Sequence, residues 1–255
     1  MNAVGIIPAR MNASRFPGKP LAEMYGMPMI GHVYHRTNLV KELYASYVAT
    51  CDKEIAKYIK SIGGNAVMTS SSHTRATTRT AEAINCIESE FGKKIDIIVM
   101  VQGDEPLIQP DTISETLKHF EDSGVDIVNV MSCLRSHDHF LDKNNVKVVV
   151  DKNNNALYFS REPIPSPWKG IDDFPKYMQT GVIAFRRDAI LSFNSMSESP
   201  LEQIESVDMN RVLEAGGKIR MVKTDYLTMG IDTLEELKYA ENLLIKDITL
   251  KKYLR

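Results

Sequence analysis

The sequence has few cysteines, almost no net charge and no long apolar run. Its three cysteines, Cys51, Cys86 and Cys133, lie far apart and form no CxxC pair, which predicts reduced core thiols rather than disulfides. A formal net charge of −2 argues against a general polyanion-binding protein, so a cluster of basic residues indicates a local anion site. The amino-terminal segment lacks the features of a signal peptide, and no apolar run is long enough to span a membrane. We therefore expect a cytoplasmic protein with no membrane span and no nucleic-acid partner.

Two common nucleotide-binding signatures are also missing. No GxGxxG follows any strand-like run, which argues against a dinucleotide-dependent dehydrogenase. Gly18 and Lys19 are followed by Pro20, and no glycine stands five residues before Gly18, so this segment is not a GxxxxGK[ST] phosphate loop. Any nucleotide site in this chain must therefore be built differently.

The hydrophobic pattern predicts an α/β fold. Short apolar runs alternate with helical patterns up to about Ser132, as is typical of a mostly parallel sheet covered by helices on both faces, and the first strand is expected near its centre. Residues 146–161 then contain two β-type runs joined by the turn-rich DKNNN, which predict a hairpin, and residues 161–176 form a proline-rich loop. We predict one domain over residues 1–255, with an inserted β-rich lobe over about 133–200.

The carboxyl-terminal segment has its own pattern. Residues 232–248 predict a long amphipathic helix with Asp232 as its N-cap. The final residues, 246–255, are expected to be an exposed basic helix end.

A cationic loop follows the first strand. Arg10, Arg15 and Lys19 are close together in IIPARMNASRFPGKP, and Gly18 allows close approach of the backbone. Open α/β sheets bind ligands at the carboxyl ends of their strands, and arginine and lysine bind phosphate oxygens by charge-assisted hydrogen bonds. The loop therefore predicts a polyphosphate site, although an isolated pair of arginines with this spacing is more often a solvated surface loop.

Two aspartates follow other apolar segments. Asp104 ends the strongly apolar run in MVQGDEP, and Asp232 lies in MGIDT, while Glu105–Pro106 is typical of a turn. Carboxylate oxygens are the ligands that Mg²⁺ prefers, although each aspartate alone is also compatible with a cap or a turn. Together with the cationic loop, the two aspartates predict a site for magnesium-assisted nucleotidyl transfer.

Five spaced motifs carry a family resemblance. IIPAR…SRFPGKPL, VQGDEP, VKVVVD…ALYFSR, SPLEQIE and GIDT occur in this order, and together they resemble the 3-deoxy-manno-octulosonate cytidylyltransferases, the CMP-Kdo synthetase family. The resemblance implies a Rossmann-like nucleotidyltransferase fold with an inserted β-rich dimerisation lobe, a homodimer, CTP as cosubstrate and Mg²⁺ as cofactor. It also implies attack of a sugar-acid hydroxyl on the α-phosphorus of CTP, with release of pyrophosphate.

The resemblance also implies roles for individual residues. Arg15, Lys19, Asp104 and Asp232 are the expected catalytic residues, and Asp104 and Asp232 are the expected metal ligands. The expected nucleotide-binding residues are Pro8, Ala9, Arg10, Arg15, Lys19, Arg75, Arg79, Gln102 and Asp104. The expected acceptor-binding residues are Gln102, Arg161, Gln179, Ile183, Asp208 and Met209.

The sequence departs from the family pattern in the nucleotide loop and at the acceptor side. The family segment H-x-S-G-T-D-R reads HTRATTR here, so that Arg75–Ala76 replaces serine-glycine and adds a charge where the base or ribose would be read, which leaves the choice of base open. Ile183 replaces the tyrosine of H-x-G-I-Y, and Met209 replaces the glutamine of L-E-Q-L-R. A sugar hydroxyl buried without a partner costs on the order of 1–3 kcal/mol, so these changes disfavour the usual eight-carbon acid unless neighbouring groups such as Gln179 or Asp208 replace the contacts.

Three functions follow from these observations. The first is CMP transfer from CTP to a small anionic acceptor, with a 3-deoxy-2-ulosonic acid such as Kdo as the leading candidate. The second is the same chemistry on another capsule or lipopolysaccharide sugar acid, or on a phosphonate. The third is a catalytically silent nucleotide-binding protein, which the intact pair of Asp104 and Asp232 argues against.

Overall fold

The computed structural model describes residues 1–12, 15–171 and 173–254. Ser14 of the first motif lies outside the described residues. The described residues form a nine-stranded sheet and a separate two-stranded ribbon. The strands are β1 (Ala3–Ala9), β2 (Glu23–Met24), β3 (Met27–Pro28), β4 (Leu43–Thr50), β5 (Asn65–Met68), β6 (Ile97–Val101), β7 (Ile127–Cys133), β8 (Lys147–Val150), β9 (Ala156–Ser160), β10 (Tyr177–Arg186) and β11 (Arg220–Thr224).

The main path of the sheet has the order β11-β7-β10-β6-β1-β4-β5. β1 lies in its interior and pairs in parallel with both β4 and β6, as the sequence predicted. β10 is antiparallel to β6 and β7, while β4–β5 and β7–β11 are parallel pairs. The sheet is therefore mostly parallel, with one long antiparallel strand in its middle.

Helices cover both faces of the sheet. Alternate residues of β1 enter two separate cores: Val4 and Ile6 pack on one side, and Ala3 and Ile7 pack on the other. This alternation, with both faces buried, is what a continuous apolar strand implies. The helices are α1 (Met29–Asn38), α2 (Lys53–Ser61), α3 (Ala76–Phe91), α4 (Pro110–Lys118), α5 (His137–Leu141), α6 (Arg187–Ser195), α7 (Pro200–Glu205), α8 (Met209–Glu214) and α9 (Leu234–Leu244).

The predicted hairpin is present. β8 and β9 pair in antiparallel register, and a turn over residues 151–155 joins them. β8 also pairs with the first residues of β10, which attaches the hairpin to the main sheet. The segment after β7 therefore extends the edge of the sheet that carries the functional loops.

The carboxyl-terminal segment differs from its prediction. Thr233, not Asp232, is the N-cap of α9, because its hydroxyl accepts from the Glu236 backbone N–H while the Glu236 side chain accepts in return, as in a capping box. The last residues are not merely an exposed helix end: Leu250 is buried, and Asp247 forms a 2.7 Å ion pair with the fully buried Arg36.

Two further expectations concern cysteines and membrane spans. All three cysteines are free, but Cys86 is exposed and the other two are half-buried, so the prediction of core thiols was wrong. Within residues 1–12, 15–171 and 173–254, none of the helices is both long and apolar enough to cross a membrane.

Candidate active site

The carboxyl ends of β1 and β6 lie side by side at one edge of the sheet. β1 leads into the cationic loop, and β6 leads into Gln102, Gly103 and Asp104. A Cβ on Gly103 would lie 2.9 Å from the Pro8 carbonyl oxygen, so only glycine allows the two loops to approach this closely. The topology thus brings the first two sequence motifs together.

Lys19 lies at the centre of the polar cluster. Its Nζ donates to Asp104 Oδ2 at 2.7 Å, to Asp232 Oδ1 at 2.9 Å and to the Ile231 carbonyl at 2.7 Å. The Ile231 N–H donates back to the Asp104 carbonyl at 2.9 Å, which ties the third loop to the end of β6. The two predicted metal ligands therefore face one point, and a lysine ammonium group occupies that point.

Charge dominates this cluster. Burial alone would lower the pKa of Lys19, but the Asp104 and Asp232 carboxylates outweigh that effect and hold the pKa above its ordinary value. Arg15, which is half exposed, adds a second cation through a 2.6 Å ion pair with Asp232. Among the described residues, no group of three or more histidine, cysteine or acidic side chains is placed to hold a metal ion.

A cavity of about 310 Å³ opens beside Lys19. All nine predicted nucleotide-binding residues line it: Pro8, Ala9, Arg10, Arg15, Lys19, Arg75, Arg79, Gln102 and Asp104. The wall of this nucleotide cavity carries four arginines and a lysine. A cavity with this lining suits a polyanion such as a nucleoside triphosphate.

Arg79 holds the wall of the nucleotide cavity in place. It is 3% exposed, and its guanidinium donates to Thr69 Oγ1 at 2.6 Å and to the carbonyls of Ser70 and His73 at 3.3 Å and 3.4 Å. These bonds fix the loop that precedes α3. Arg10, in contrast, is exposed and has the freedom to meet a ligand.

A second cavity, of about 390 Å³, adjoins the first. All six predicted acceptor-binding residues line it: Gln102, Arg161, Gln179, Ile183, Asp208 and Met209. Both cavities are lined by Arg15, Arg75, Gln102, Asp104 and Asp232. The predicted catalytic residues therefore lie at or beside the junction where two bound substrates would meet.

Several polar groups of this acceptor cavity already have protein partners. Gln179 donates to Asn129 Oδ1 at 2.8 Å. The Arg161 guanidinium donates to three carbonyls, those of Glu205, Lys143 and Ser206, at 2.7 Å, 2.9 Å and 3.4 Å. Arg161 thus adds positive charge to this cavity, but its guanidinium fork is already engaged by these carbonyls.

The floor of the acceptor cavity is apolar. Ile183 is 3% exposed and Met209 is not exposed at all, so both pack in the core beneath the cavity. Neither side chain can donate a hydrogen bond, and the Met209 sulfur is only a weak acceptor. Their predicted role as acceptor ligands is therefore limited to van der Waals contact with whatever enters.

Sequence reasoning missed Glu105 as part of the site. Glu105 lies in the predicted turn, but its carboxylate is buried and accepts from the Gly181 N–H, while Oε2 has no hydrogen-bond partner among the described residues. Burial raises the pKa of Glu105 to about 7. Its neighbour Gly181 has no room for a side chain, because a Cβ would lie 2.7 Å from the Gln102 Cβ. The only signal in the sequence was adjacency to Asp104.

Two smaller side chains of the site, Asn144 and Thr77, were also not predicted from the sequence. Asn144 accepts from Arg15 Nη1 at 2.6 Å, and Thr77 donates to Asp208 Oδ2 at 2.6 Å. Both line the acceptor cavity. A lone asparagine or threonine in a polar stretch gives no sequence signal of such a role.

Comparisons with known proteins point to the cytidylyltransferases. The family model described as cytidylyltransferase matches residues 4–219. A 3-deoxy-manno-octulosonate cytidylyltransferase of Geobacter metallireducens is 40% identical, over 95% of this chain and 98% of its own. That of Geotalea uraniireducens is 41% identical, over 93% and 97%. The solved structure of a CMP:2-keto-3-deoxy-manno-octonic acid synthetase complexed with CTP is 34% identical, with a TM-score of 0.88 over 96% of this chain and 99% of that one.

Proposed function

The chain belongs to the cytidylyltransferase family and, within it, to the 3-deoxy-manno-octulosonate cytidylyltransferases, and from this premise we propose that it transfers CMP from CTP to a 3-deoxy-2-ulosonic acid, with 3-deoxy-manno-octulosonate as the leading acceptor. A hydroxyl of the acceptor attacks the α-phosphorus, the bond to the β-phosphate oxygen breaks, and pyrophosphate leaves. Family membership favours this enzyme over a catalytically silent nucleotide-binding protein.

One observation carries the proposal. Lys19 is held between Asp104 and Asp232 beside the junction of a cationic cavity and a second polar cavity. In the proposed reaction Arg10, Arg15 and Lys19 bind the triphosphate and balance the charge that moves onto the leaving pyrophosphate. Gln102 lies in both cavities, and we assign it the alignment of the acceptor against the α-phosphate.

The two carboxylates fit a magnesium ion. Mg²⁺ in nucleotide enzymes is commonly held by one or two carboxylates, with water and substrate phosphates as the other ligands. Asp104 and Asp232 converge on one cation already, and they are 25% and 31% exposed, so water and phosphate oxygens have access. When bound, the metal would neutralise phosphate charge. We propose Asp104 and Asp232 as its protein ligands.

The acceptor cavity favours a second candidate beside the first. Gln179 and Asp208 both have protein partners, and the floor under them is apolar. The apolar floor offers no strong hydrogen-bond partner to a hydroxyl above it, and this favours as the second candidate a non-Kdo acid with fewer or differently placed hydroxyl groups. The anion of either acceptor would lie near Arg161.

A pyrophosphate-release screen tests both candidates. CTP, UTP and ATP are each combined with a panel of ulosonic acids and phosphonates in the presence of Mg²⁺. We expect turnover with CTP and at least one ulosonic acid. Turnover that is fast with 3-deoxy-manno-octulosonate supports the first candidate, and turnover confined to another acid supports the second. No CTP-dependent release with any acid would contradict the proposal.

A matched pair of variants links turnover to the site. Asp104→Asn keeps the size of the side chain but removes the charge that faces Lys19, and we expect it to lower kcat at least 100-fold. Asp225→Asn is the control, because Asp225 is an exposed aspartate that also pairs with a lysine, Lys223 at 3.0 Å. Equal activity of the two variants would show that the Lys19 cluster is not the active site.

Three wider features belong to the same proposal. We infer a single domain over residues 1–255 with an inserted lobe over about 133–200. We also infer that the protein acts in the cytoplasm, where CTP is made.

The third feature is a homodimer, which we infer to form through the inserted lobe. The exposed apolar side chain of Leu157, which lies in this lobe, supports that interface. Sedimentation velocity of the wild type and of Leu157→Glu tests the dimer.

A further inference from the structure

Arg75 lies between the two cavities. It immediately precedes α3 as its N-cap residue and lines both the nucleotide cavity and the acceptor cavity. Its side chain is only 22% exposed. An arginine at the amino-terminal end of a helix is electrostatically unfavourable, because that end carries partial positive charge. A specific partner must therefore hold this guanidinium.

That partner is Asp208, which lines the acceptor cavity. Asp208 Oδ1 accepts from Arg75 Nη1 at 3.0 Å, and Oδ2 accepts from Thr77 Oγ1 at 2.6 Å. Burial raises the pKa of Asp208, and the Thr77 hydroxyl and Arg75 oppose that rise. Both oxygens of the carboxylate are thus engaged by the segment that begins α3.

More acidic groups lie around the Arg75 guanidinium. Glu198 is 3.8 Å away and Glu202 is 4.0 Å away, although Glu202 is itself bound through both oxygens to Arg211 at 2.6 Å. The charge of Arg75 is therefore largely balanced by protein carboxylates. In this balance Arg75 differs from Arg10, which is exposed.

The residues next to Asp208 in the chain hold Arg161, the arginine predicted to bind the acceptor. The Ser206 hydroxyl is 3.4 Å from Arg75 Nη1, while the Ser206 carbonyl accepts from Arg161 Nη2 at 3.4 Å. Ser206 has a φ of +52°, a left-handed conformation that a serine keeps only when its surroundings fix it. Residues 205–208 thus connect the start of α3 with Arg161.

We infer that Arg75 and Asp208 form a positioning pair. The pair fixes residues 205–208, in the wall of the acceptor cavity, to the loop before α3. It thereby sets the affinity for the acceptor, although Asp208 does not contact the acceptor. The inference rests on the proposed function for its kinetic consequence only. Its structural consequence, that the segment before α3 is held by residue 208, is independent of any reaction.

A double-mutant cycle tests the pair. The variants are Arg75→Ala, Asp208→Ala and the double variant, with Arg75→Lys as the charge-conserving form. Arg187 and Glu88 supply the matched control cycle, because they form a 2.7 Å ion pair of similar exposure, 22% and 16%, and line neither cavity. Each variant is measured by amide hydrogen exchange of residues 73–78 and by the KM for the acceptor and for CTP.

The expected pattern is non-additive. The double variant should show no faster exchange and no larger rise in acceptor KM, about ten-fold, than Asp208→Ala alone, with a smaller change in kcat. Arg75→Ala, which keeps the bond between Thr77 and Asp208, should change exchange and acceptor KM in the same direction. Arg75→Lys should restore most of the affinity. The control cycle should leave the exchange of residues 73–78 and both KM values unchanged.

Two results would overturn the inference. One is unchanged exchange of residues 73–78 in Asp208→Ala. The other is a rise in acceptor KM in Asp208→Ala that Arg75→Ala does not reproduce, because Asp208 would then contact the acceptor directly. If the wild type turns over no acid at all, the proposed function fails, and the exchange measurements still decide whether the pair holds the loop.

Discussion

Replacing Lys19 by methionine tests the arrangement of charges at the site most directly. Methionine keeps most of the length of the side chain and removes the ammonium group, which bonds to Asp104, Asp232 and the Ile231 carbonyl. Among the described residues, Asp232 then keeps only the half-exposed Arg15 as an ion-pair partner, and Asp104 keeps none. We expect Lys19→Met to be less stable than the wild type and more responsive to Mg²⁺.

The magnitude follows from the geometry. Hydrogen bonds to charged groups contribute roughly 1.5–3 kcal/mol each when buried. Lys19 is 12% exposed, but its two aspartates are 25% and 31% exposed, so solvent screening reduces the sum. A net loss of about 2 kcal/mol corresponds to a fall in Tm of roughly 4–8 °C for a chain of this size.

Thermal unfolding with and without magnesium measures the effect. Mg²⁺ should raise the Tm of Lys19→Met by more than it raises that of the wild type, because the variant has no ammonium group competing for the carboxylates. Lys118→Met is the control, since Lys118 is 65% exposed and pairs with Glu115 on the surface. Equal Tm values for Lys19→Met and wild type, or equal magnesium shifts, would refute the reasoning.

Three further predictions concern the surroundings of the site. Glu202→Ala leaves the 5%-exposed Arg211 without its carboxylate partner and should cost about 3–5 kcal/mol of unfolding free energy, measured by urea titration. Gly181→Ala should raise the acceptor KM, because the new Cβ displaces Gln102; Gly230→Ala, in the same cavity with open space around it, should not. Burial lowers the pKa of His32 to about 4, against 6.5 in an unfolded chain, so the unfolded state binds the proton first as pH falls. The free energy of unfolding should therefore fall by up to about 3 kcal/mol between pH 6.5 and pH 4, and His32→Gln should make it depend less on pH. An equally steep pH dependence in His32→Gln would show that His32 does not cause the fall.

The sequence was sufficient where the signal is local or follows from parallel topology. The alternation of apolar runs predicted β1 and its interior position, and carboxyl ends of parallel strands meet at one edge. Those two facts place Lys19 beside Asp104. The hairpin of β8 and β9 was predictable for a similar reason, because its turn is encoded within five consecutive residues.

The sequence could not predict contacts between side chains that lie far apart in the chain and belong to no recognisable motif. Arg36 and Asp247 are 211 residues apart, and Gln179 meets Asn129 only because β10 pairs with β7. Neither contact has a motif. The prediction of the α9 N-cap was wrong for another reason, because Asp232 and Thr233 are both good cap residues. The Glu236 side chain accepts from the backbone N–H groups of both residues, but it completes a capping box only with Thr233.

The bonds of Lys19 limit how the site works. An ammonium group has three N–H donors, and all three of those on Lys19 are used by Asp104, Asp232 and the Ile231 carbonyl. Contact with a phosphate therefore requires Lys19 to give up at least one of these bonds. Among the described residues, releasing Asp104 would leave its carboxylate without an ion-pair partner, and releasing Asp232 would leave it only the half-exposed Arg15. We therefore expect triphosphate binding by Lys19 and cation binding by the aspartates to be coupled. Under the proposed function, CTP should bind more tightly with Mg²⁺ than without it, and this gain should shrink in Asp232→Asn, where titration calorimetry can measure both affinities.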